Sequence, residues 1–319
     1  AERGAGGTDA RCGGRGGTAS DTIVWDGGTM TVYEGGVANG STVNEAGTLI
    51  ASSGAILSHA DITSGSYYDY GAVHSGVSAW YGGALCFTGD ETSYAEITGA
   101  TFASNTADVG GAIENYCGTV VISNSLFESN SVAASTDETW TTVDGAAIMN
   151  LSGAVRVYDT VFQFNSTTMT DSRACGGAIE NSVNGILTVS GGSFLSNVAP
   201  YGGAVENMGS ALLENVVFSG NFASSGGAVC NYGGSVYDEA TSSTTYIGGT
   251  TTVAGGTFSA NSATTGGAAA NGWGLLNVSN AVFSANSATG GGAVANPASL
   301  SLAGGTFSGN SATSGGAIL

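Results

Sequence analysis

The sequence predicts an all-β protein, a right-handed parallel β-helix (a solenoid) with about three short strands per rung. Three observations lead to this fold class: a motif recurs along most of the chain, apolar residues alternate within each copy, and Gly, Asn and Ser separate the alternating segments. A fixed period of ~20–50 residues is typical of solenoids. Alternation with period two marks strands with one buried face, and crossover connections between parallel strands are nearly always right-handed.

The recurring motif is clearest towards the C-terminal end of the sequence. A Phe-x-x-Asn segment begins at Phe258, Phe283 and Phe307, which lie 25 and 24 residues apart, and Gly-Gly-Ala follows 8 residues after each of them. Copies of Phe-x-x-Asn extend back to Phe102, which gives eight in all. Mostly apolar residues five and seven positions before each phenylalanine predict a further strand. Each coil should therefore bury large apolar side chains, worth about 1.5–3 kcal/mol apiece.

Asparagines recur at two positions of the motif, so stacking of the coils would place them in two columns. Side-chain amides in such columns can hydrogen bond to one another and to the turn backbone. We therefore predict two structural ladders, formed by Asn105, Asn130, Asn165, Asn197, Asn221, Asn261, Asn286 and Asn310, and by Asn115, Asn150, Asn181, Asn207, Asn231, Asn271 and Asn296. Ligand binding or glycosylation is the alternative, because Asn150 and Asn165 each begin an Asn-x-Ser/Thr sequon.

The chain divides into three parts by the type of repeat. Residues 1–20 are glycine-rich, which predicts a flexible leader. Residues 21–81 combine smaller β-coils, in which segments 28–32 and 47–51 are 19 residues apart, with an aromatic-rich insertion at 65–81. Residues 82–319 hold the Phe-x-x-Asn and Gly-Gly-Ala repeats. We expect the smaller coils to continue into the main stack.

Composition excludes several classes of partner and cofactor. The formal net charge is −19 and all five basic residues are arginines, which argues against nucleic acid and against anionic membrane surfaces. No run of 18 apolar residues occurs, so this segment should not insert directly into a membrane. The His and Cys residues lack the spacing of a metal site, and we predict no metal and no cofactor.

The five cysteines occupy different positions of the repeat, which does not favour a simple disulfide between neighbouring coils. We predict free and mostly buried thiols. One loop-assisted disulfide, or a cross-link between molecules, is the alternative. The residues are Cys12, Cys86, Cys117, Cys175 and Cys230.

One pair of carboxylates would suit glycoside chemistry. The residue after the aliphatic position in Gly-Gly-Ala-aliphatic-x-Asn should point outward, and it is Glu180 and Glu206 in consecutive coils. Stacked coils would bring these residues within about 5 Å of each other, close to the separation in retaining glycosidases. Exposed glutamates on neighbouring coils also occur as a solvated stripe, and we favour that interpretation and predict no enzyme activity.

Aromatic residues in the irregular segments are the candidate ligand-binding residues, because such side chains stack on sugars and form hot spots with proteins. Longer segments before Gly145 and Gly176 should form one corner protrusion. A third insertion, 232–250, carries further aromatic and acidic residues, among them Tyr232 and Tyr246. The alternative for the first group is a seal between the two coil types. The candidates are Tyr67, Tyr68, Tyr70, Trp80 and Tyr81, and, in the corner protrusion, Asp137, Glu138 and Trp140.

The combination of Phe-x-x-Asn with Gly-Gly-Ala-Ile resembles the repeats of the chlamydial polymorphic outer membrane proteins (Pmp), which are autotransporter passengers. The resemblance covers roughly residues 82–319, and residues 21–64 are similar to the coils of AIDA-type autotransporter passengers. This resemblance implies a right-handed β-helix, at a bacterial surface or secreted, that binds a cell-surface protein or glycan as an adhesin. The sequence departs from the family pattern because it contains no C-terminal barrel, so we expect a fragment or another anchor.

Two other functions remain open at this stage. The chain could be a structural stalk or filament segment that self-associates end to end through its terminal strands. A carbohydrate-active β-helix enzyme is the other alternative, because fold alone does not determine function.

Overall fold

The computed structural model describes residues 10–12, 17–25, 27–44, 46–132, 143–167, 174–238 and 243–319. In these ranges every regular element is a β-strand, and the strands stack into long parallel sheets. The chain passes through three sheets in turn and re-enters the first sheet one strand further along. The predicted parallel β-helix is therefore confirmed, while its right-handed sense stays a prediction.

The first sheet carries the inward-facing aliphatic residues. Strands are numbered β1 to β46 in chain order. The first sheet contains β1 (Ala10–Cys12), β4 (Thr29–Val32), β7 (Thr48–Ala51), β10 (Ser66–Asp69), β14 (Tyr94–Thr98), β18 (Thr119–Ser123), β23 (Ala154–Tyr158), β28 (Ile186–Ser190), β31 (Ser210–Glu214), β36 (Ser243–Ala254), β40 (Gly274–Ser279) and β44 (Ser299–Ala303), with β35 (Gly233–Asp238) paired to β36.

The second sheet carries the phenylalanines. It contains β2 (Thr18–Ser20), β5 (Val37–Asn39), β8 (Ile56–Leu57), β11 (Val73–Ser75), β15 (Thr101–Ala103), β19 (Leu126–Glu128), β24 (Val161–Gln163), β29 (Ser193–Leu195), β32 (Val217–Ser219), β37 (Thr257–Ser259), β41 (Val282–Ser284) and β45 (Thr306–Ser308).

The third sheet follows the Gly-Gly-Ala turn. It contains β3 (Ile23–Val24), β6 (Ser41–Val43), β9 (Ala60–Ile62), β13 (Leu85–Phe87), β17 (Ile113–Asn115), β22 (Ile148–Asn150), β27 (Ile179–Asn181), β30 (Val205–Asn207), β34 (Val229–Asn231), β39 (Ala269–Asn271) and β43 (Val294–Ala295).

Short corner strands lie between the second and third sheets. They form three smaller groups, β12 (Ser78–Tyr81), β16 (Thr106–Val109), β20 (Ser131–Val132) and β25 (Ser166–Thr167); β21 (Val143–Asp144) and β26 (Ala174–Cys175); and β33 (Phe222–Ser225), β38 (Ser262–Thr265), β42 (Ser287–Gly290) and β46 (Ser311–Ser314).

The eight phenylalanines form one column inside the coil. Neighbouring rings from Phe102 to Phe307 stack with centroids 4.6–5.0 Å apart. Seven of the eight side chains are fully buried, and Phe307 is half-buried. Offset-stacked rings at this separation attract one another in addition to the area that they bury. The repeat spacing thus places one ring per rung along a single axis.

Both asparagine columns form hydrogen-bonded ladders. In the first, Asn165 Nδ2 donates to Asn197 Oδ1 at 3.0 Å and to the carbonyl of Phe127 at 3.0 Å. Asn165 Oδ1 accepts the backbone N–H and the Nδ2 of Asn130, both at 3.0 Å. The same links run from Asn105 to Asn310, and the second ladder runs from Asn115 to Asn296.

The ladders leave the two sequons inaccessible. Asn150 and Asn165 are fully buried, and both amides are used in ladder hydrogen bonds. A glycosylation enzyme must reach the amide nitrogen, so the folded chain does not offer these two sites. The structure therefore argues against glycosylation of Asn150 and Asn165 in the folded protein.

A tight turn follows each phenylalanine. The residue two positions after it has a left-handed backbone in all eight repeats, with φ between 54° and 67°. L-residues other than glycine rarely adopt this conformation because Cβ approaches the carbonyl oxygen. The eight residues are Ser104, Ser129, Phe164, Ser196, Gly220, Ala260, Ala285 and Gly309.

The N-terminal coils continue into the main stack. Thr29 pairs with Thr48 and Thr42 with Asp61, as the 19-residue spacing predicts. β7, β10 and β14 are then neighbours in the first sheet, so the stack runs without a break from the small coils into the large ones. The smaller coils are shorter because they pass directly from the second to the third sheet, without a corner strand.

Two expectations about the N-terminal region need correction. Within the predicted flexible leader of residues 1–20, β1 pairs with β4 and β2 with β5, so residues 10–12 and 18–20 belong to the first coil. The stretch 65–81 is not an insertion, because β10, β11 and β12 pair in register with β14, β15 and β16 of the next coil. Its aromatic residues belong to an ordinary rung.

Candidate functional site

The predicted aromatic site does not form one surface. Tyr67 is fully buried, and Tyr68 is half-buried on the outer side of the first sheet, 6.1 Å from the ring of Tyr94. Tyr70 follows β10 at the turn towards the second sheet and is 54% exposed. Trp80 lies on corner strand β12 and is 66% exposed.

Tyr81 is the last residue of that corner strand and is also exposed. The sequence prediction therefore grouped residues from different sides of one rung. Tyr67 in particular cannot bind a ligand in this conformation, because its side chain points into the coil and contacts no solvent. The other predicted contacts, Asp137, Glu138 and Trp140, lie outside the described residues.

Tyr67 belongs instead to a polar network inside the coil. Its hydroxyl donates to Asp69 Oδ2 at 2.8 Å and lies 3.2 Å from His74 Nε2. His74 Nε2 is 2.9 Å from the same carboxylate oxygen. Asp69 Oδ1 accepts the backbone N–H groups of Gly71 and Ala72 at 2.9 and 2.7 Å. The network therefore satisfies both oxygens of a fully buried carboxylate.

The electrostatic balance at Asp69 favours its charged form. Burial disfavours ionisation of the carboxyl group, but the hydrogen bond and charge of His74, together with the Ala72 N–H and the Tyr67 hydroxyl, outweigh it. The pKa of Asp69 is consequently lower than usual. His74 also caps the phenylalanine column, because its ring stacks on Phe102 at 4.4 Å with an interplanar angle of 5°.

A second buried column lies on the outer side of the third sheet. The residues after the aliphatic position point away from the core, as predicted, but they are not exposed, because the corner strands cover them. Cys230 Sγ lies 4.0 Å from Ser225 Oγ of corner strand β33, for example. We call this set the covered column, and its members are Cys86, Glu114, Met149, Glu180, Glu206, Cys230, Ala270 and Ala295.

The Gly-Gly turns create this cover. Gly110 has φ +59°, and a Cβ there would lie 2.3 Å from the carbonyl oxygen of Ile113. A Cβ on Gly111 would lie 2.1 Å from the carbonyl oxygen of Ala146 in the next coil. The first position therefore requires glycine, whereas the second leaves little room for a side chain and holds Ala146 in one coil. This tight turn brings each corner strand against the outer side of the third sheet.

Glu180 and Glu206 are 1% and 3% exposed, so the predicted solvated stripe is wrong. Oε2 of Glu206 has no hydrogen-bond partner within the described part of the chain, and the Glu180 carboxyl group faces that of Asp144. Burial, and then the charges of Asp144 and Glu206, raise the pKa of Glu180. Burial raises the pKa of Glu206 to about 8, although a hydrogen bond from Cys175 opposes the shift.

Four of the cysteines are described with their side chains, and none of these four forms a disulfide, as predicted. Cys86 Sγ donates to Glu114 Oε2 at 3.4 Å in the covered column. Burial, followed by the charges of neighbouring carboxylates, raises the pKa of Cys86 and Cys175 far above that of an ordinary thiol. Since the thiolate is the reactive form, we expect both thiols to react slowly in the folded chain.

An exposed aromatic cluster lies elsewhere, at the third irregular segment. Strands β35 and β36 form an antiparallel hairpin there. Tyr246 on β36 is 65% exposed, and its ring stacks on that of Trp273, which is 44% exposed, at 5.5 Å with an interplanar angle of 29°. Tyr232, also exposed, lies beside Gly272. We call Tyr232, Tyr246 and Trp273 the hairpin patch.

Tyr232 and Tyr246 were recognised in the sequence as aromatic residues of the third insertion, but the position of Trp273 beside them was not predicted. Trp273 lies one coil later, in a short segment that looks like part of an ordinary repeat. The available signal was the spacing, because Tyr246 and Trp273 are 27 residues apart, close to one coil. In a solenoid, residues separated by one period are neighbours.

Two further properties concern metals and membranes. Among the described residues, no group of three or more His, Cys, Asp or Glu side chains is arranged to hold a metal ion. No helix in the same residues has the length and apolar character needed to cross a bilayer.

These features define a β-helical solenoid with a covered acidic column and a surface aromatic cluster. Within it, residues 215–232 match the family model of the Chlamydia polymorphic membrane protein (Pmp) repeat. This segment contains Phe218, Asn221 and the Gly226-Gly227-Ala228 turn, so it spans both halves of the repeat unit. Comparisons with curated proteins and with solved structures give no match. The chain therefore carries Pmp-type repeats.

Proposed function

We propose that the chain is an adhesin-like β-helix passenger at a bacterial cell surface, or secreted, that binds a cell-surface protein or glycan without catalysis. Two findings support the proposal. The chain carries a Pmp-type repeat, and the name of that repeat family refers to membrane proteins. The fold is a solenoid, a scaffold that presents side chains along an extended surface.

The observation that carries the proposal is the exposure of large aromatic side chains on a coil whose interior is complete without them. The inside of the coil is already filled along its length, by aliphatic side chains in every coil and, from Phe102 onward, also by the phenylalanine column and the two asparagine ladders. Exposed aromatic residues such as Trp80, Tyr246 and Trp273 add nothing to that packing. Aromatic side chains supply large contact areas at interfaces, so a binding role accounts for their position.

A catalytic function has weaker support than an adhesin function. Glu180 and Glu206, the carboxylate pair that the sequence offers, are covered by the corner strands and almost completely buried. A glycosidase needs both carboxylates at the scissile bond. The carbohydrate-active alternative would therefore need the covered column to open, and the adhesin requires no such change.

The proposal is tested by measuring binding of the purified, fluorescently labelled chain to epithelial cells and to bacterial cells. Saturable binding is expected. Prior treatment of the cells with protease or with glycosidases distinguishes a protein ligand from a glycan. Chromatography with light scattering on the same sample reports end-to-end self-association. A monomer that shows no saturable binding to any cell would overturn the adhesin, and oligomers without cell binding would favour the stalk.

A further inference from the structure

The hairpin that carries the patch leaves the regular coil. β36 has 12 residues, of which Thr250–Ala254 pair in parallel with β31. Its earlier residues, Ser243–Gly248, pair antiparallel with β35 instead. Tyr246 therefore lies on a segment added to the rung, and its stacking on Trp273 joins this segment to the next coil.

Glycines flank the aromatic residues of the hairpin patch in the sequence. Gly248 ends the hairpin segment and Gly249 follows it, and Trp273 has Gly272 before it and Gly274 after it. A Cβ on Gly272 would lie 2.6 Å from Cδ2 of Tyr232, so the Tyr232 ring occupies space that only glycine leaves free. The three aromatic rings consequently stand on a glycine-rich platform.

Charge is nearly absent from the strands that build this platform. β35, β36 and β40 contain one charged residue, Asp238, at the end of β35. The chain as a whole has a net charge of −19. An anionic ligand would find no cation in these strands and would be repelled by the chain at longer range.

We propose that Tyr232, Tyr246 and Trp273 form a docking surface for a neutral glycan. The C–H faces of a neutral sugar pack on exposed aromatic rings and need no counter-charge. A protein hot spot is normally enclosed by a rim of side chains that excludes water, and Gly272 and Gly274, on either side of Trp273, contribute no side chain to such a rim. This assignment rests on the proposed adhesin function and names the site and the ligand class for it.

The test uses immobilised oligosaccharides. Neutral hexose and N-acetylhexosamine chains form one set, and sialylated or sulfated counterparts form the other. We expect the unmodified chain to bind at least one neutral probe and to bind the anionic set more weakly. Trp273→Ala should weaken binding about tenfold, and Tyr246→Ala/Trp273→Ala should abolish it. Gly272→Ala should also weaken binding, because the new Cβ displaces the Tyr232 ring while all three aromatic residues remain.

The matched control is Trp25→Ala, because Trp25 is 43% exposed, similar to Trp273, but lies in an N-terminal coil. Glycan binding should be unchanged in this variant, and circular dichroism should show the same fold in all of them. Absence of neutral-glycan binding, full binding by the double variant, or preference for anionic glycans would overturn the proposal.

Cell binding by the same variants separates the two proposals. If the unmodified chain binds cells and the double variant binds them equally well, the patch assignment fails and the adhesin stands. If the chain binds neutral glycans through the patch but binds no cell, the adhesin fails and the patch assignment stands.

Discussion

Glu180 and Glu206 are direct partners in neighbouring strands of the third sheet, and both side chains are buried under the corner strands. Asp144 of corner strand β21 adds a third acidic group beside Glu180. Two like charges in a dry site repel each other, and each also loses the solvation of water. The folded chain therefore favours the protonated form of these glutamates.

This arrangement predicts a fold that is more stable in mild acid than at neutral pH. The pKa of Glu206 rises from an ordinary 4.5 to about 8 in the folded state, so between these values the folded chain binds more protons than the unfolded chain. The free energy of unfolding should then fall as pH rises from about 4.5 to about 8. Urea denaturation at pH 5 and pH 8 measures the difference.

Glu206→Gln removes the titrating group with little change in shape. The variant should lose part of the pH dependence and should be more stable than the unmodified chain at pH 8. His59 also has a raised pKa, owing first to its hydrogen bond with Asp61. The stability that this histidine contributes is present below its ordinary pKa and is lost as pH rises, so it changes the free energy of unfolding in the same direction as Glu206 does. Comparing the pH dependence of Glu206→Gln with that of the unmodified chain isolates the contribution of Glu206. The control is Glu96→Gln, because Glu96 is exposed. Identical pH profiles for Glu206→Gln and the unmodified chain would contradict the prediction.

The covered column also shows which part of the structure could be predicted from the sequence and which part could not. The direction of these side chains, away from the core, follows from period-two alternation and was predicted correctly. Their burial depends on the corner strands, which are only two to four residues long. Such short segments carry too little periodicity to be recognised. The Phe column and Asn ladders were predictable because identical residues recur once per coil. The contact between the rings of Tyr246 and Trp273 was not predictable, because it depends on how an irregular hairpin folds back onto the next coil.

The Asp69 network predicts a large cost for removing one buried carboxylate. Asp69→Ala would leave the Tyr67 hydroxyl, His74 and two backbone N–H groups without their acceptor. Breaking a buried, hydrogen-bonded charged group in this way typically costs about 3–5 kcal/mol. Because the pKa of Asp69 is lowered, its contribution is present above its ordinary pKa of 3.8 and disappears as pH falls through the lower folded value.

Asp61→Ala is the control for that variant. Asp61 also pairs with a histidine, His59 Nε2 at 3.1 Å, but its side chain is 43% exposed. Exposed ion pairs contribute about 0–1 kcal/mol. Urea denaturation at pH 7 should therefore separate the two variants by several kcal/mol, and equal losses would show that the buried network contributes no more than the surface pair.

The first asparagine ladder predicts a position-dependent cost. Asn197→Ala removes the acceptor of the Asn165 N–H and Nδ2, and the donor to Phe162 and Asn221. Buried groups left unpaired cost about 1–3 kcal/mol each, so we expect a loss of at least about 2 kcal/mol in urea denaturation. Asn277→Ala is the control, because the Asn277 side chain makes one 3.5 Å contact with Thr252 on the outer side of the first sheet. A loss at Asn197 no greater than that at Asn277 would mean that the ladder does not stabilise the stack.

The turns after the phenylalanines predict substitutions that stabilise the chain. Ala260 and Ala285 have φ values of 54° and 55°, and glycine stands at the equivalent positions 220 and 309. Replacing either alanine with glycine removes a left-handed strain of about 1–2 kcal/mol, partly offset by the greater entropy of glycine in the unfolded chain. Thermal denaturation should therefore show a higher midpoint for Ala260→Gly and for Ala285→Gly. The control Ala263→Gly, on corner strand β38 without a positive φ, should lower the midpoint instead, and a decrease for all three would show that the turn strain is not what limits these positions.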